Sequence, residues 1–401
     1  MLKEIKMTNL KTIALSAAVV AAMTGCGDTT IYQEPSNVTI TGDTTTTTTT
    51  SGVTTSEDTS TSVLTLLDKG SSLPQETLAG ELNTDMTLSA DTLWVLDGLV
   101  VVKPGATLTI EPGTVIAGMS GTGDATSYMI VDKGAQIIAD GSSENPIVFT
   151  SLERVENNSN NAVGQWGGLT VIGHAGNSQV NPYEVNTAYE ADATNMADNS
   201  GILRHVHILN SGITMAEDKE INGLSFIGVG SGTVVEDITV DMSDDDGIEI
   251  WGGTVNLSNI TITNCTDDYF DIDDGYSGTV TNLNITTTTG NAAVEMSGDT
   301  AATFDGFNIT TGDTQAKEGG IYFKGSGIGG HFKNGNLIHN GGQIQADGAL
   351  HSNDVIDETS TSFENVSMTT GVGLDFTGVS AAALESAFDD GGASGNTVTY
   401  N

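Results

Sequence analysis

Basic residues are scarce in this chain: 12 Lys and Arg stand against 52 Asp and Glu, a formal charge of −40 at pH 7. Phosphate binding needs clustered Lys and Arg, so DNA and RNA are excluded as partners. A surface this acidic suits an extracellular setting, where divalent cations are natural counter-ions. Aromatics make up 5% and prolines number six, so the residues of a compact helical core are in short supply. There are two cysteines, Cys26 and Cys265, and no Cys/His spacing of a metal site. The apolar run TIALSAAVVAAM (12–23) is too short and too small-residued for an ordinary membrane span.

What is present begins with export. Lys3, Lys6 and Lys11 flank that run, and it ends in MTGC (23–26), which resembles a bacterial lipobox with Cys26 as the lipidated residue. Met23 stands where Leu is usual, and the residue after Cys26 is Gly27, not Asp. The resemblance implies a lipid-anchored protein of the outer membrane or cell surface, with 1–25 removed as a signal peptide. Cys265 would then be the remaining thiol, so the fold must hold without an internal disulfide. Residues 26–66, with TTTTTTT at 44–50, hold little apolar surface and read as a disordered tether.

Glycine is abundant, at 50 residues, and it punctuates short β-rich runs. One pattern recurs: apolar, two residues, apolar, one residue, apolar. It occurs as Leu203, Val206, Ile208, then Val235, Ile238, Val240, then Leu257, Ile260, Ile262. Val280, Leu283, Ile285 and Phe304, Phe307, Ile309 continue it, and Phe363, Val366, Met368 close it. Ile238, Ile260, Leu283 and Phe307 follow one another by 22, 23 and 24 residues. A second pattern, IEI (248–250), FDI (270–272), VEM (294–296) and IYF (321–323), keeps the same beat with the alternation of a strand buried on one face. Periods of this length predict an all-β, right-handed parallel β-helix solenoid of about 22–24 residues per coil. A β-sandwich would show hairpin turns and no such beat. The solenoid is expected over 67–380, with SAAALESAF (380–388) as a helical cap within a C-terminal tail, 381–401. Long interruptions at 153–163 and 174–200 read as loops bulging from it.

The phrases LTIEPGTVIAG, GAQIIADGSSENPIVFTS, GQWGGLTVIG, NSGILRHVHI, INGLSFIGVGSGTVVEDI, DDGIEIWGGTVN and DDYFDIDDGYSG follow one another over roughly 90–290. In that order they resemble a poorly characterised family of secreted bacterial parallel β-helix proteins, many of them lipoproteins. The resemblance implies the fold and a surface location, and no activity.

The repeat turns acidic residues into candidate sites. Asp246 and Asp268 are 22 residues apart, as are Glu249 and Asp271, so each pair is expected on adjacent coils ~4.8 Å apart. With the flanking apolar residues inside, Glu249, Asp271 and Glu295 form an outward column continued by Tyr322. Ca²⁺ held by Asp246, Glu249, Asp268, Asp271, Asp273 and Glu295 would offset the repulsion. Plain exposure to water is the simpler alternative, and both stay open. An EF-hand is excluded, because Phe270 and Ile272 fall where oxygen ligands belong.

Enzymatic readings exist beside these. DDGIEI and DDYFDI resemble the rhythm of polygalacturonase-type hydrolases, in which carboxylates such as Asp246, Asp267, Asp268 and Asp271 would act as acid and base. That family's following GHG motif is missing, since the next coil is GNAAVEM (290–296). A polysaccharide lyase needs a base, and the basic cluster is Arg204, His205, His207 and Lys219. His205 and His207 are expected on one outer strand face, about 6.5–7 Å apart. Trp166 and Trp251, with Tyr322, are candidate sugar-stacking residues; Trp packed at a corner or under the 174–200 loop is the alternative. The sequence thus points to a surface lipoprotein whose β-helix is a non-catalytic platform for a glycan, a surface partner or a divalent cation. The alternative is a polysaccharide lyase or glycoside hydrolase acting on acidic polysaccharide. Oligomeric state stays open.

Overall fold

A computed structural model describes residues 38–40, 46–48, 57–159, 161–177, 183–216, 219–312, 318–340, 348–371, 375–389 and 395–400. Cys26 lies outside them. Two units separate, Met1–Asp58 and Thr59–Asn401. In the first, Val38–Ile40 pairs antiparallel with Thr46–Thr48. The second is a right-handed parallel β-helix whose strands form one continuous 25-stranded sheet wound upon itself.

Three faces run along it. The short strands Tyr128–Val131, Leu169–Ile172, Leu224–Ile227, Ile248–Trp251, Phe270–Asp273, Ala292–Met296, Gly319–Phe323, Leu350–Ser352 and Phe376–Gly378 stack in parallel register as the first face. The other two are built from long strands, such as Val234–Ser243, Asn256–Thr263, Thr279–Thr286 and Ala301–Thr311, each bent once. The bend falls at Asp237 (φ 56°), Asn259 (φ 56°), Asn282 (φ 55°), Gly306 (φ 78°), Asn334 (φ 52°) and Asn365 (φ 53°). These residue types tolerate the left-handed conformation best. They explain the two-residue gap in the apolar pattern: Leu257 and Ile260 face the core from either side of the corner at Ser258 and Asn259.

The corner residues also bond along the axis. Asn259 Nδ2 donates to Asp237 Oδ1 (3.0 Å), and Asn282 Nδ2 donates to Asn259 Oδ1 (3.0 Å). Where Gly306 interrupts the ladder, Asn334 Nδ2 turns to Asp305 Oδ1 (2.8 Å). Inside, like stacks on like: the rings of Phe304, Phe332 and Phe363 follow at 5.1 Å intervals. A Cβ at Gly335 would meet the Phe307 ring at 2.1 Å, so glycine there makes room for the phenylalanine one coil before.

Both ends carry helices. Glu57–Gly70 lays Val63, Leu66 and Leu67 against the outer side of strands bearing Leu93, Val95, Val115 and Val148. It begins inside the stretch assigned to the tether, so the folded body starts before residue 67. Ala381–Phe388 closes the other end with Leu384 and Phe388 in the core. A further strand, Thr397–Tyr400, then pairs with Ser367–Thr370, so the solenoid resumes beyond the cap helix.

Candidate functional site

The acidic column lies on the first face. Glu249 pairs with Asp271, Asp271 with Glu295, Glu295 with Tyr322 and Tyr322 with His351, one residue per coil. One turn earlier in each coil, Asp246 precedes Asp268 by the same offset. These turn carboxylates bind the following coil's backbone: the Asp268 N–H donates to Asp246 Oδ1 (2.9 Å) and the Ala292 N–H to Asp268 Oδ1 (2.6 Å). Asn222 does the same for the Asp246 N–H (3.3 Å) with a neutral amide. The stacking expected from the 22-residue spacing is therefore present, and part of its work is structural.

The expected exposure is not. Asp246 is 7% exposed, Asp268 5%, Asp271 9% and Glu295 2%. Strand alternation does direct these side chains out of the lumen, but other segments cover that face. Tyr183 packs edge-on to Trp251 with ring centroids 6.1 Å apart, and Thr170 Oγ1 donates to the Tyr183 hydroxyl (3.2 Å). Glu184 and Glu220 come close enough to act electrostatically on Glu249 and Asp245, respectively. The column facing water is thus corrected to a column under cover.

Burial first, and neighbouring carboxylates second, push Asp246, Glu249, Asp268 and Asp271 well above the usual carboxylate range. Burial and Asp267 push Asp245 up to about 8, and burial and Glu295 push Glu318 up to about 7. Three sets bring carboxylate oxygens within 4.8 Å of one another: Asp245, Asp246 and Asp267; Asp246, Glu249 and Asp271; Asp268, Asp271 and Glu295. Sets of this kind could hold a metal ion. Asp273 belongs to none of these sets. In the third set two buried oxygens, Asp271 Oδ1 and Glu295 Oε2, have no hydrogen-bond partner. An orphaned buried carboxylate oxygen is costly, and a cation satisfies it, as does a proton shared with a neighbouring carboxyl such as Glu318, which hydrogen-bonds the Glu295 side chain. Among the described residues one cation pairs with this cluster: Lys324 Nζ lies 2.6 Å from Glu295 Oε1.

The remaining predicted residues are elsewhere or covered. Trp166 is fully buried, stacked on Phe149, and its Nε1 donates to the Leu209 carbonyl (2.9 Å), so it is a core residue and not a sugar platform. Trp251 is 9% exposed beneath Tyr183, and Tyr322 is 6% exposed with its ring on His351 (5.1 Å). Arg204 lies on a different face, where it binds Glu236 Oε2 (2.9 Å) and Asp140. His205 is a corner residue (φ 48°), and the bend breaks the alternation that put it on one face with His207. His207 is itself buried, 6% exposed. Arg204, His205 and His207 are therefore not brought to the acids. Sequence reasoning missed Asp245, Glu318 and Lys324. Lys324 had a usable signal, because it directly follows IYF, the strand that continues the acidic column.

No curated protein matches the chain. Among solved structures it is similar to the enzymatically active domain of tailspike protein 2 of bacteriophage CBA120. The identity is 14% and the TM-score 0.32, over 83% of this chain and 42% of that one. The model of the pectate-lyase-like β-helix domain matches residues 80–397. That match spans the stacked coils and the acidic column together, and the chain belongs to the family of pectate-lyase-like β-helix domains.

Proposed function

We propose that this chain is a cell-surface β-helix that binds a divalent cation, Ca²⁺, in its covered acidic column and engages acidic polysaccharide in a cation-dependent way. The observation that carries the reading is the pair of buried, unpartnered oxygens on Asp271 and Glu295 within one set of close carboxylates. All the donors are oxygens, which suits a hard cation, and Ca²⁺ accepts more ligands in looser geometry than Mg²⁺. Asp268, Asp271 and Glu295 would hold the ion, with Asp246 and Glu249 extending the site. Lipidation at Cys26 and an outer-membrane location belong to the same proposal, resting on the MTGC motif.

Thermal unfolding tests it. A ligand that binds the native state alone stabilises it by about 2.7 kcal/mol at a hundredfold excess over Kd. The midpoint should rise by several degrees from EDTA to millimolar Ca²⁺, and Glu295→Gln should abolish the rise. An unchanged midpoint removes the cation.

A second reading, a polysaccharide lyase or glycoside hydrolase, is favoured by Tyr322 and His351 continuing the acidic column, and Lys324 paired to it, in a family named for pectate lyase. Incubation with acidic polysaccharides in Ca²⁺ decides between the two. Binding without new unsaturated or reducing ends keeps the non-catalytic platform; turnover lost in Lys324→Met replaces it with the enzyme.

A further inference from the structure

We infer that Lys324 is an internal counter-ion exchanged for the divalent cation: its ammonium holds Glu295 when the site is empty and leaves it when the ion enters. The inference rests on the cation reading above and adds how the site switches between two states.

Three observations carry it. First, Lys324 Nζ sits 2.6 Å from Glu295 Oε1, and Glu295 belongs to the set with Asp268 and Asp271 whose oxygens converge within 4.8 Å. The lysine therefore occupies the approach to the same carboxylate that a metal would use. Second, the neutralisation is incomplete. Glu295 Oε2 and Asp271 Oδ1 are buried and receive no hydrogen bond while Lys324 is in place, so one ammonium does not satisfy the cluster. A divalent ion with several open coordination positions satisfies both oxygens at once.

Third, the two partners differ in freedom. The Glu295 side chain is 2% exposed, whereas that of Lys324 is 53% exposed. The lysine backbone is pinned, its N–H donating to the Met296 carbonyl (2.8 Å). Its flexible stem, however, reaches in from solvent and can swing back to water. An ammonium and a divalent cation on one buried carboxylate repel, so the mobile, half-exposed one leaves. Among the described residues, the ion pairs of Lys103 with Asp132 and of Arg204 with Glu236 lack this arrangement, lying outside the three converging carboxylate sets.

The test uses the full chain, with CaCl₂ as the probe. Lysine acetylation by an N-hydroxysuccinimide ester, read by mass spectrometry, reports whether Lys324 is free. Labelling of Lys324 should rise severalfold on adding Ca²⁺, while Lys103 and Lys133 stay constant. Calorimetric titration should give Lys324→Met an affinity for Ca²⁺ about tenfold or more above wild type, and Lys324→Arg an affinity near wild type. Unchanged labelling of wild-type Lys324 in saturating Ca²⁺ overturns the exchange without need of any variant. So does a Lys324→Met affinity equal to or below wild type. Absence of Ca²⁺ binding by wild type and Lys324→Met alike overturns the cation reading beneath it. Binding by the variant alone shows that Lys324 blocks the site without leaving it, and overturns the exchange.

Discussion

His207 sits on an outward strand position, yet it is buried, and burial sets the sign of its response to pH. Desolvation, with the neighbouring charge of His205 second, lowers its pKa from 6.5 to about 4. A depressed histidine contributes stability that is complete above its unfolded pKa and is lost as pH falls from about 6.5 toward 4. Each pKa unit is about 1.36 kcal/mol, so the loss is about 3 kcal/mol. The raised carboxylates act the other way. Asp245, pushed up to about 8, contributes stability present below its unfolded pKa and lost as pH rises through 8. The histidine is therefore read as a difference between proteins. His207→Gln should unfold at a midpoint that falls less than that of wild type between pH 6.5 and 4. Parallel profiles from chemical denaturation at several pH values would contradict the assignment. At this scale the pairings Asp246 with Asp268 and Glu249 with Asp271 were legible, because 22 residues make one coil. The cover near Glu249 was not, because Tyr183 and Glu184 come from a long loop whose path no repeat dictates.

At the scale of elements, the strands announced themselves and their bends did not. The apolar positions of VEDITV and LSNITI mark core residues correctly, but the extra polar residue between them is a left-handed corner joining two faces. Extending plain alternation through it placed His205 and His207 on one face, which is why the basic cluster was misread. The C-terminal helix was legible from its small-residue composition, and its role follows from the exposed end of any solenoid. Phe388, 3% exposed, contacts the rings of Phe363 (5.5 Å) and Phe376 (5.7 Å) and so closes the phenylalanine stack. Truncating a buried Phe to Ala costs about 3–5 kcal/mol. Phe388→Ala should therefore lower the unfolding free energy by about 3 kcal/mol, with amide exchange accelerating first in Phe376–Gly378 and Thr397–Tyr400. Uniform acceleration along the chain would show that the helix is not an end cap.

For the molecule as a whole, the division between sequence and tertiary structure follows contact distance along the chain. In a solenoid the principal contacts join residues one coil apart, so a period of 22–24 residues states the fold, the core stacks and the carboxylate ladder directly. Segments outside the repeat obey no such rule. Tyr183 meets Trp251 across an irregular loop, whereas Arg204, 64 residues from Asp140, still meets it in register because a long insertion only lengthens that coil. Composition and periodicity by themselves determined an acidic parallel β-helix with a column of carboxylates on one face. Only the tertiary structure decided that the column is covered, that it retains two unpartnered oxygens, and that Lys324 is the cation beside it. Those outcomes depend on which loop lies over which coil, and side chains that cover a surface need share no period with the surface they cover.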